Sequence, residues 1–196
     1  MRFDLNLAAE WIAPGSRVLD LGCGDGSLLE YLRDTLRVDG LGVEIDDAPI
    51  RQCLQKGLNV VEQDLNRGLA NFRDDSFDVV VMAQALQTLR SPHRVIDEML
   101  RVGRQCIVTF PNFGYWRSRV YLGWRGRMPV SKFLPYTWYD TPNIHFCTVA
   151  DFEDLCRDRN IRVLHRTVVN ADDRESLIAS CFPNLFGVTA VYHISK

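Results

Sequence analysis

Three glycines at alternate positions, Gly22, Gly24 and Gly26, follow the apolar run Arg17–Leu21 and precede Leu28, Leu29 and Leu32, which recur at helical spacing. A strand that ends in such a loop and feeds a helix has a chemical use. Glycine lets the backbone turn sharply and come close to a ligand. The helix start offers free N–H groups and a positive dipole end. The ligand can be NAD, FAD, a phosphate or S-adenosylmethionine, and three details separate them. The dinucleotide fingerprint needs a third small residue at position 27; Ser27 stands there, and the third glycine comes one place early. Asp20 lies two residues before the loop, where a carboxylate suits an ammonium group and repels a pyrophosphate. Two more acids end the next two apolar runs. Glu44, about 20 residues beyond the loop, is placed to accept from ribose hydroxyls, and Asp64 can accept from an exocyclic adenine amine. S-adenosylmethionine needs this set; NAD is the runner-up.

A second concentration of chemistry lies at 111–147. It holds Phe113, Tyr115, Trp116, Tyr121, Trp124, Phe133, Tyr136, Trp138, Tyr139 and Phe146, half of the chain's aromatic residues. Arg117, Arg119, Arg125, Arg127 and Lys132 accompany them against one acid, Asp140. A long segment without periodicity is usually functional. This composition serves base stacking with phosphate contacts, a lid over a small acidic substrate, or a protein interface anchored by Trp, Tyr and Arg. It also serves a satellite core on short helices, one of them at 116–124. A net charge of -2 and a pI near 6.1 make nucleic acid the weakest of these and give no signal for an anionic membrane. Tyr115, Trp116, Arg117, Arg119, Trp138 and Tyr139 are the residues expected to meet a partner or substrate.

Methyl transfer mainly requires positioning, and a base only where the acceptor must lose a proton. His145, close to Tyr139 and Asp140 in sequence, is the candidate base, with a hydrogen bond to the loop backbone as the plainer role. His93 is expected exposed in a helix's first turn, and His165 and His193 structural within strands. Cys23 at a helix start can have a lowered pKa or simply be small enough to clear room for a ligand. The six cysteines are scattered without a Cys-x-x-Cys pair, which points to reduced thiols and no metal site.

The elements that position these groups alternate. Apolar runs at 17–21, 40–46, 59–62, 77–82, 105–110, 161–168 and 187–194 read as strands, the fourth central. Helical patterns lie between most of them, which argues for a parallel sheet covered on both faces. Phe3, Leu7 and Trp11 suggest a short amphipathic helix against the sheet that supplies little to a substrate cap. A helix at 48–56 stops at Gly57. Ser91, Pro92 and Gly103 punctuate the next, which buries Val95, Ile96, Met99 and Leu100. Thr148 and Asp151 form a capping box for a helix that reaches Arg159 and buries Phe152 and Leu155. A short helix is expected within 172–185. The start shows no signal peptide, and the apolar run at 79–83 is too short to span a bilayer. A cytoplasmic protein of one domain, 1–196, with an aromatic and basic insertion at 111–147, is the expectation.

The run Val-Leu-Asp-Leu-Gly-Cys-Gly-Asp-Gly at 18–26 resembles motif I of the class I S-adenosylmethionine-dependent methyltransferases, and the resemblance extends over about residues 16–110. It implies an α/β, Rossmann-like fold with a seven-stranded, mostly parallel sheet, a reversed final strand and helices on both faces. It implies that Asp20, Gly22, Cys23 and Gly24 surround the methionine part of the cofactor. Glu44 then takes the ribose, Ile45 packs on adenine, and Asp64 with Leu65 borders the adenine edge. Ala83 and Gln84 would lie under the sulfonium. Amino-directed nucleic-acid methyltransferases carry Asn/Asp-Pro-Pro-aromatic after the fourth strand, where this chain has Met-Ala-Gln-Ala-Leu at 82–86. The runs at 111–117, 126–132 and 138–148 further resemble the MetW family of methionine-biosynthesis proteins. That resemblance implies a cytosolic bacterial protein acting with a MetX-type homoserine O-acyltransferase and binding S-adenosylmethionine or S-adenosylhomocysteine. Two functions follow: an accessory or regulatory subunit, or an active methyltransferase on a small acidic metabolite with Arg117 or Arg119 as clamps.

Overall fold

The computed structural model describes residues 2–131, 133–170 and 177–196. Seven strands form one sheet: β1 (Arg17–Leu21), β2 (Asp39–Glu44), β3 (Asn59–Glu62), β4 (Phe77–Ala83), β5 (Gly103–Pro111), β6 (Arg162–Val169) and β7 (Thr189–Ser195). Their order is β3-β2-β1-β4-β5-β7-β6. β1 to β5 pair in parallel, and β7 runs antiparallel to both neighbours. The helices are α1 (Phe3–Glu10), α2 (Ser27–Leu36), α3 (Asp47–Gln55), α4 (Pro92–Val102), α5 (Trp116–Arg125), α6 (Val149–Asp158), α7 (Leu177–Cys181) and α8 (Pro183–Phe186). This is the Rossmann-like, seven-stranded arrangement with a reversed final strand that the methyltransferase resemblance implies.

Side-chain alternation along the strands divides the core between the sheet's faces. Val79 and Val81 of β4 pack with Leu28, Leu29 and Leu32 of α2 and with Leu7 and Ala8 of α1. Val80 and Met82 point the other way, into Val95, Ile96 and Met99 of α4 and Phe152 of α6. Sheet order reverses between β1 and β4, since β2 and β3 extend to one side and β5 to the other. In open α/β sheets such a switch point leaves a crevice at the carboxyl ends of the strands. The glycine loop follows β1 at that crevice.

Several local details differ from expectation. Ser91 stands at the start of α4 but makes no capping hydrogen bond, and Pro92 alone marks the first turn. Gly103 stands just beyond the end of α4 as expected, and its extended backbone opens β5 directly. β2 stops at Glu44 because the Glu44 carboxylate accepts from the amides of Ile45 and Asp46, at 2.7 and 3.2 Å. The capping box at Thr148 forms as expected, with both reciprocal bonds present. His93 and Leu155 are half-buried. Two short helices occupy 177–186; the start of the expected 172–185 segment, and Lys132, lie outside the described residues. Among the described residues no helix is long and apolar enough to cross a membrane.

Candidate functional site

All three loop glycines adopt left-handed backbone, with φ of 73° at Gly22, 54° at Gly24 and 74° at Gly26. At Gly26 the demand is doubled. A Cβ there would fall 2.5 Å from Leu58 Cδ1 and 2.9 Å from Cys53 Sγ. Gly24 differs, because a Cβ there would meet nothing within 4 Å; its surroundings are left open.

That space belongs to a cavity of about 400 Å³ lined by Asp20, Gly22, Cys23, Gly24 and Ala83, together with Arg2, Leu5 and the start of α2. Five of the sequence-predicted residues therefore share one cavity. Asp20 is the unusual member. It is 3% exposed, and burial pushes its carboxyl up to about 7, an effect that Arg2 partly opposes and Glu44 adds to. Among the described residues no hydrogen bond or salt bridge holds it. A buried carboxylate without a partner is costly, and a cationic ligand group in the cavity would relieve that cost.

Glu44 reaches the same loop from the end of β2, where its Oε2 accepts from the Gly24 amide at 2.8 Å. An ionised carboxylate has about four lone-pair sites, so acceptor capacity remains. Ile45 beside it is 55% exposed, a large apolar side chain open at the strand's end. Asp64 follows β3, is half-buried, and accepts from the Asn66 amide and side chain at 2.9 Å each. Those bonds hold its carboxyl below the usual range. Leu65 is turned into the core. These four residues lie at the carboxyl ends of β2 and β3, and none of them lines the cavity.

Ala83 ends β4, and Gln84 follows it. Gln84 has a φ of 60°, which a non-glycine residue adopts at a cost of about 1–3 kcal/mol. Two bonds hold it there. Its amide donates to the Thr109 carbonyl at 2.9 Å, and its carbonyl accepts from Gln87 Nε2 at 2.7 Å. Gln87 is 6% exposed, and its Oε1 has no partner among the described residues. Its backbone carbonyl accepts from the amides of Ile144 and His145, at 2.9 and 3.1 Å. The turn after β4 is thus tied to the aromatic segment.

A second cavity of about 450 Å³ opens beside this turn. Gln84 and Gln87 line it with Arg2, Asp4, Tyr136 and Asn143, and Phe3, Phe133 and three prolines complete its walls. Arg2 is common to both cavities. It pairs with Asp4 at 3.2 Å, and the buried Asp4 carboxylate also accepts from Thr109 Oγ1 at 3.0 Å. The N-terminal segment therefore supplies polar walls to both cavities, contrary to the small role expected of it. Arg2, Asp4, Leu5 and Gln87 escaped sequence reasoning. The only signal was an Arg and an Asp flanking Phe3 at a helix start.

Cys23 does not gain acidity from the helix start. Burial, then the neighbouring Asp20, pushes its thiol up, and Asp25 takes the Ser27 amide at 3.1 Å. The remaining sequence-predicted residues lie elsewhere. His145 lies exposed outside both cavities, with Nε2 3.4 Å from the Arg90 carbonyl; that is the plainer of its two expected roles. Tyr115, Trp116, Arg117, Arg119, Trp138 and Tyr139 line neither cavity. Arg119 is used structurally, donating to the carbonyls of Gly114 and Asn184. His165 and His193 lie within β6 and β7, where they were expected; His193 is buried, His165 is exposed, and both rings stack on Trp11 of the segment after α1.

Residues 2–194 match the family model described as methionine biosynthesis protein MetW. The bifunctional methionine biosynthesis protein MetXA/MetW of Rhodopirellula baltica is 37% identical over 191 residues, covering 93% of this chain and 31% of that protein. A ubiquinone biosynthesis O-methyltransferase of Hahella chejuensis is 36% identical over 97 residues, covering 46% of this chain and 40% of that enzyme. The chain thus spans well under half the length of both relatives. Among solved structures, an S-adenosylmethionine-dependent methyltransferase from Archaeoglobus fulgidus superposes with a TM-score of 0.72 at 17% identity, covering 98% of this chain and 91% of that one. Another from Mesorhizobium loti gives 0.67 at 16% identity, covering 98% and 100%. The chain belongs to the MetW family of methionine-biosynthesis proteins and has the Rossmann-like fold of the class I S-adenosylmethionine-dependent methyltransferases.

Proposed function

We propose that the chain binds S-adenosylmethionine, or S-adenosylhomocysteine, and acts as an accessory or regulatory subunit of a MetX-type homoserine O-acyltransferase. The observation that carries the ligand assignment is Asp20: a buried, unpartnered carboxylate on the wall of the glycine-loop cavity. An ammonium group supplies the missing partner, and a pyrophosphate is repelled. Arg2, on the same wall, offers a cation to the ligand's carboxylate. Glu44 accepts from the ribose hydroxyls while bracing the Gly24 amide. Ile45, Asp64 and Leu65 border the adenine, and Ala83 with Gln84 borders the sulfonium. When bound, the cofactor supplies an electrophilic methyl group and a signal of methionine supply. The acyltransferase partnership is supported by the Rhodopirellula relative, whose name joins MetXA and MetW in one chain.

The test is an acylation assay with purified acyltransferase, with and without the chain, across a titration of S-adenosylmethionine. The expected result is a complex whose acylation rate depends on the chain and responds to the ligand. No complex, or no effect at any ligand level, overturns the regulatory role.

One observation favours methyl transfer as a second reading. The cavity of about 450 Å³ meets the strained Gln84 turn and carries Arg2, a cation suited to an acidic acceptor. Its other titratable groups are Asp4 and Tyr136. Transfer of labelled methyl from S-adenosylmethionine to a metabolite in cell extract would support this reading. Ligand binding with no turnover would count against it.

A further inference from the structure

α5 is a helix with almost nothing beneath it. Of its ten residues only Ser118 is buried. Trp124 is 86% exposed, Val120 54% and Tyr121 42%. Apolar and aromatic side chains on a surface helix normally face a core, and a ten-residue helix gains most of its stability from such packing. Here they face outward in two adjoining rows. Trp116, Val120 and Trp124 stand at successive i, i+4 positions, and Arg117, Tyr121 and Arg125 form the neighbouring row. These six line a groove of about 370 Å³.

The start of the helix is anchored to the body of the fold. The Asn112 side chain, 3% exposed, donates to the Gly187 carbonyl at 2.7 Å and accepts from the amides of Gly114 and Val149 at 3.0 and 3.2 Å. Arg119 bonds the Gly114 carbonyl beneath the helix start. The charge of the face is uncompensated. Arg117 lies over the Trp116 ring at 5.4 Å. Among the described residues no acid pairs with Arg117, Arg125 or Arg127. Trp, Tyr and Arg are the residues that most often dominate binding energy in interfaces.

We propose that the outward face of α5 is the surface that docks the acyltransferase subunit, Trp124 and Tyr121 entering an apolar hollow of that protein and the arginines meeting an acidic rim. The occupant rests on the partnership argued above. That partnership requires a surface that remains available while both cavities are filled, and these six residues line neither cavity. The arginines of the second row select an acidic protein surface and oppose a second copy of the same face, because isologous pairing would bring like charges together.

The experiment measures binding of the full chain to the purified acyltransferase by calorimetry, for the wild type and for Trp124→Ala, Tyr121→Ala and Arg117→Glu. Leu54→Ala on α3, at a side chain 59% exposed, serves as control, and S-adenosylmethionine affinity checks that each variant is folded. Each aromatic substitution is expected to weaken the complex by about 30-fold or more. Arg117→Glu should weaken it most at low salt, and Leu54→Ala should have no effect. Wild-type affinity in the two aromatic variants would overturn the surface assignment and leave the partnership standing. Failure of the wild type itself to bind would overturn the partnership and the assignment with it. Loss of self-association in the aromatic variants, with the acyltransferase complex intact, would give the face to a second copy and also overturn the assignment.

Discussion

Replacing Asp20 by asparagine separates binding from stability, because the two should move in opposite directions. The carboxyl is 3% exposed, and burial raises it from 3.8 to about 7. The folded chain therefore holds this proton more tightly than the unfolded chain does. The stabilising effect is complete below about pH 4, declines as pH rises, and is gone above about pH 7. At about 1.4 kcal/mol per pH unit, the span corresponds to about 4 kcal/mol. Asparagine mimics the neutral form, so D20N should be more stable than wild type by up to about 4 kcal/mol at pH 8 and nearly unchanged at about pH 4. Ligand binding has the reverse sign. An ammonium group needs the ionised carboxylate, so wild-type affinity should rise almost tenfold per pH unit between about pH 5 and 7 and then level off. Binding at the acidic end should release a proton. D20N should bind about 100-fold or more weakly at pH 8, since one partner of a buried charge pair is missing, and without that pH dependence. Calorimetry in buffers of different ionisation enthalpy measures affinity and proton release together; chemical denaturation measures stability. Wild-type affinity that ignores pH, or a D20N protein that binds normally, would refute the reasoning.

Three further outcomes follow from the same geometry. Gly26→Ala places a Cβ 2.5 Å from Leu58 Cδ1 at a φ of 74° and should cost about 1–3 kcal/mol, read as a lowered thermal midpoint. Glu44→Ala removes the acceptor of the Gly24 amide and the expected ribose contact. S-adenosylmethionine affinity should fall about tenfold or more. Thiol labelling of the native protein should begin at the exposed Cys181 and spare Cys23, whose thiol burial pushes up; fast labelling of Cys23 would contradict that assignment of its environment.

The parts of the site legible in the sequence are those whose signal is local. Asp20, the glycines and Ser27 lie within eight residues of one another, and strand–turn–helix geometry fixes their relation. Glu44 and Ile45 were readable because they end the next strand of a repeating βα unit. Arg2, Asp4 and Gln87 were not, since their roles depend on contacts distant in sequence. Asp4 meets Thr109, 105 positions away. Gln87 acts through the Gln84 turn and through the backbone at 144–145, more than fifty positions away. His145 and Cys23 show the converse limit. Residue type and neighbours suggested reactivity, but exposure beside the Arg90 carbonyl and burial beside Asp20 decide their chemistry. The aromatic segment was recognisable from composition, while its division between cavity wall (Phe133, Tyr136) and outward face (Trp116, Tyr121, Trp124) depends on how 111–147 folds against the turn after β4.

The most direct test of the central claim is calorimetric titration of the chain with S-adenosylmethionine and, separately, with NAD, each in the presence and absence of the acyltransferase. The account predicts saturable one-to-one binding of S-adenosylmethionine, an affinity altered by the acyltransferase as linkage requires, and no comparable binding of NAD. Absence of S-adenosylmethionine binding, or preference for NAD, would contradict it.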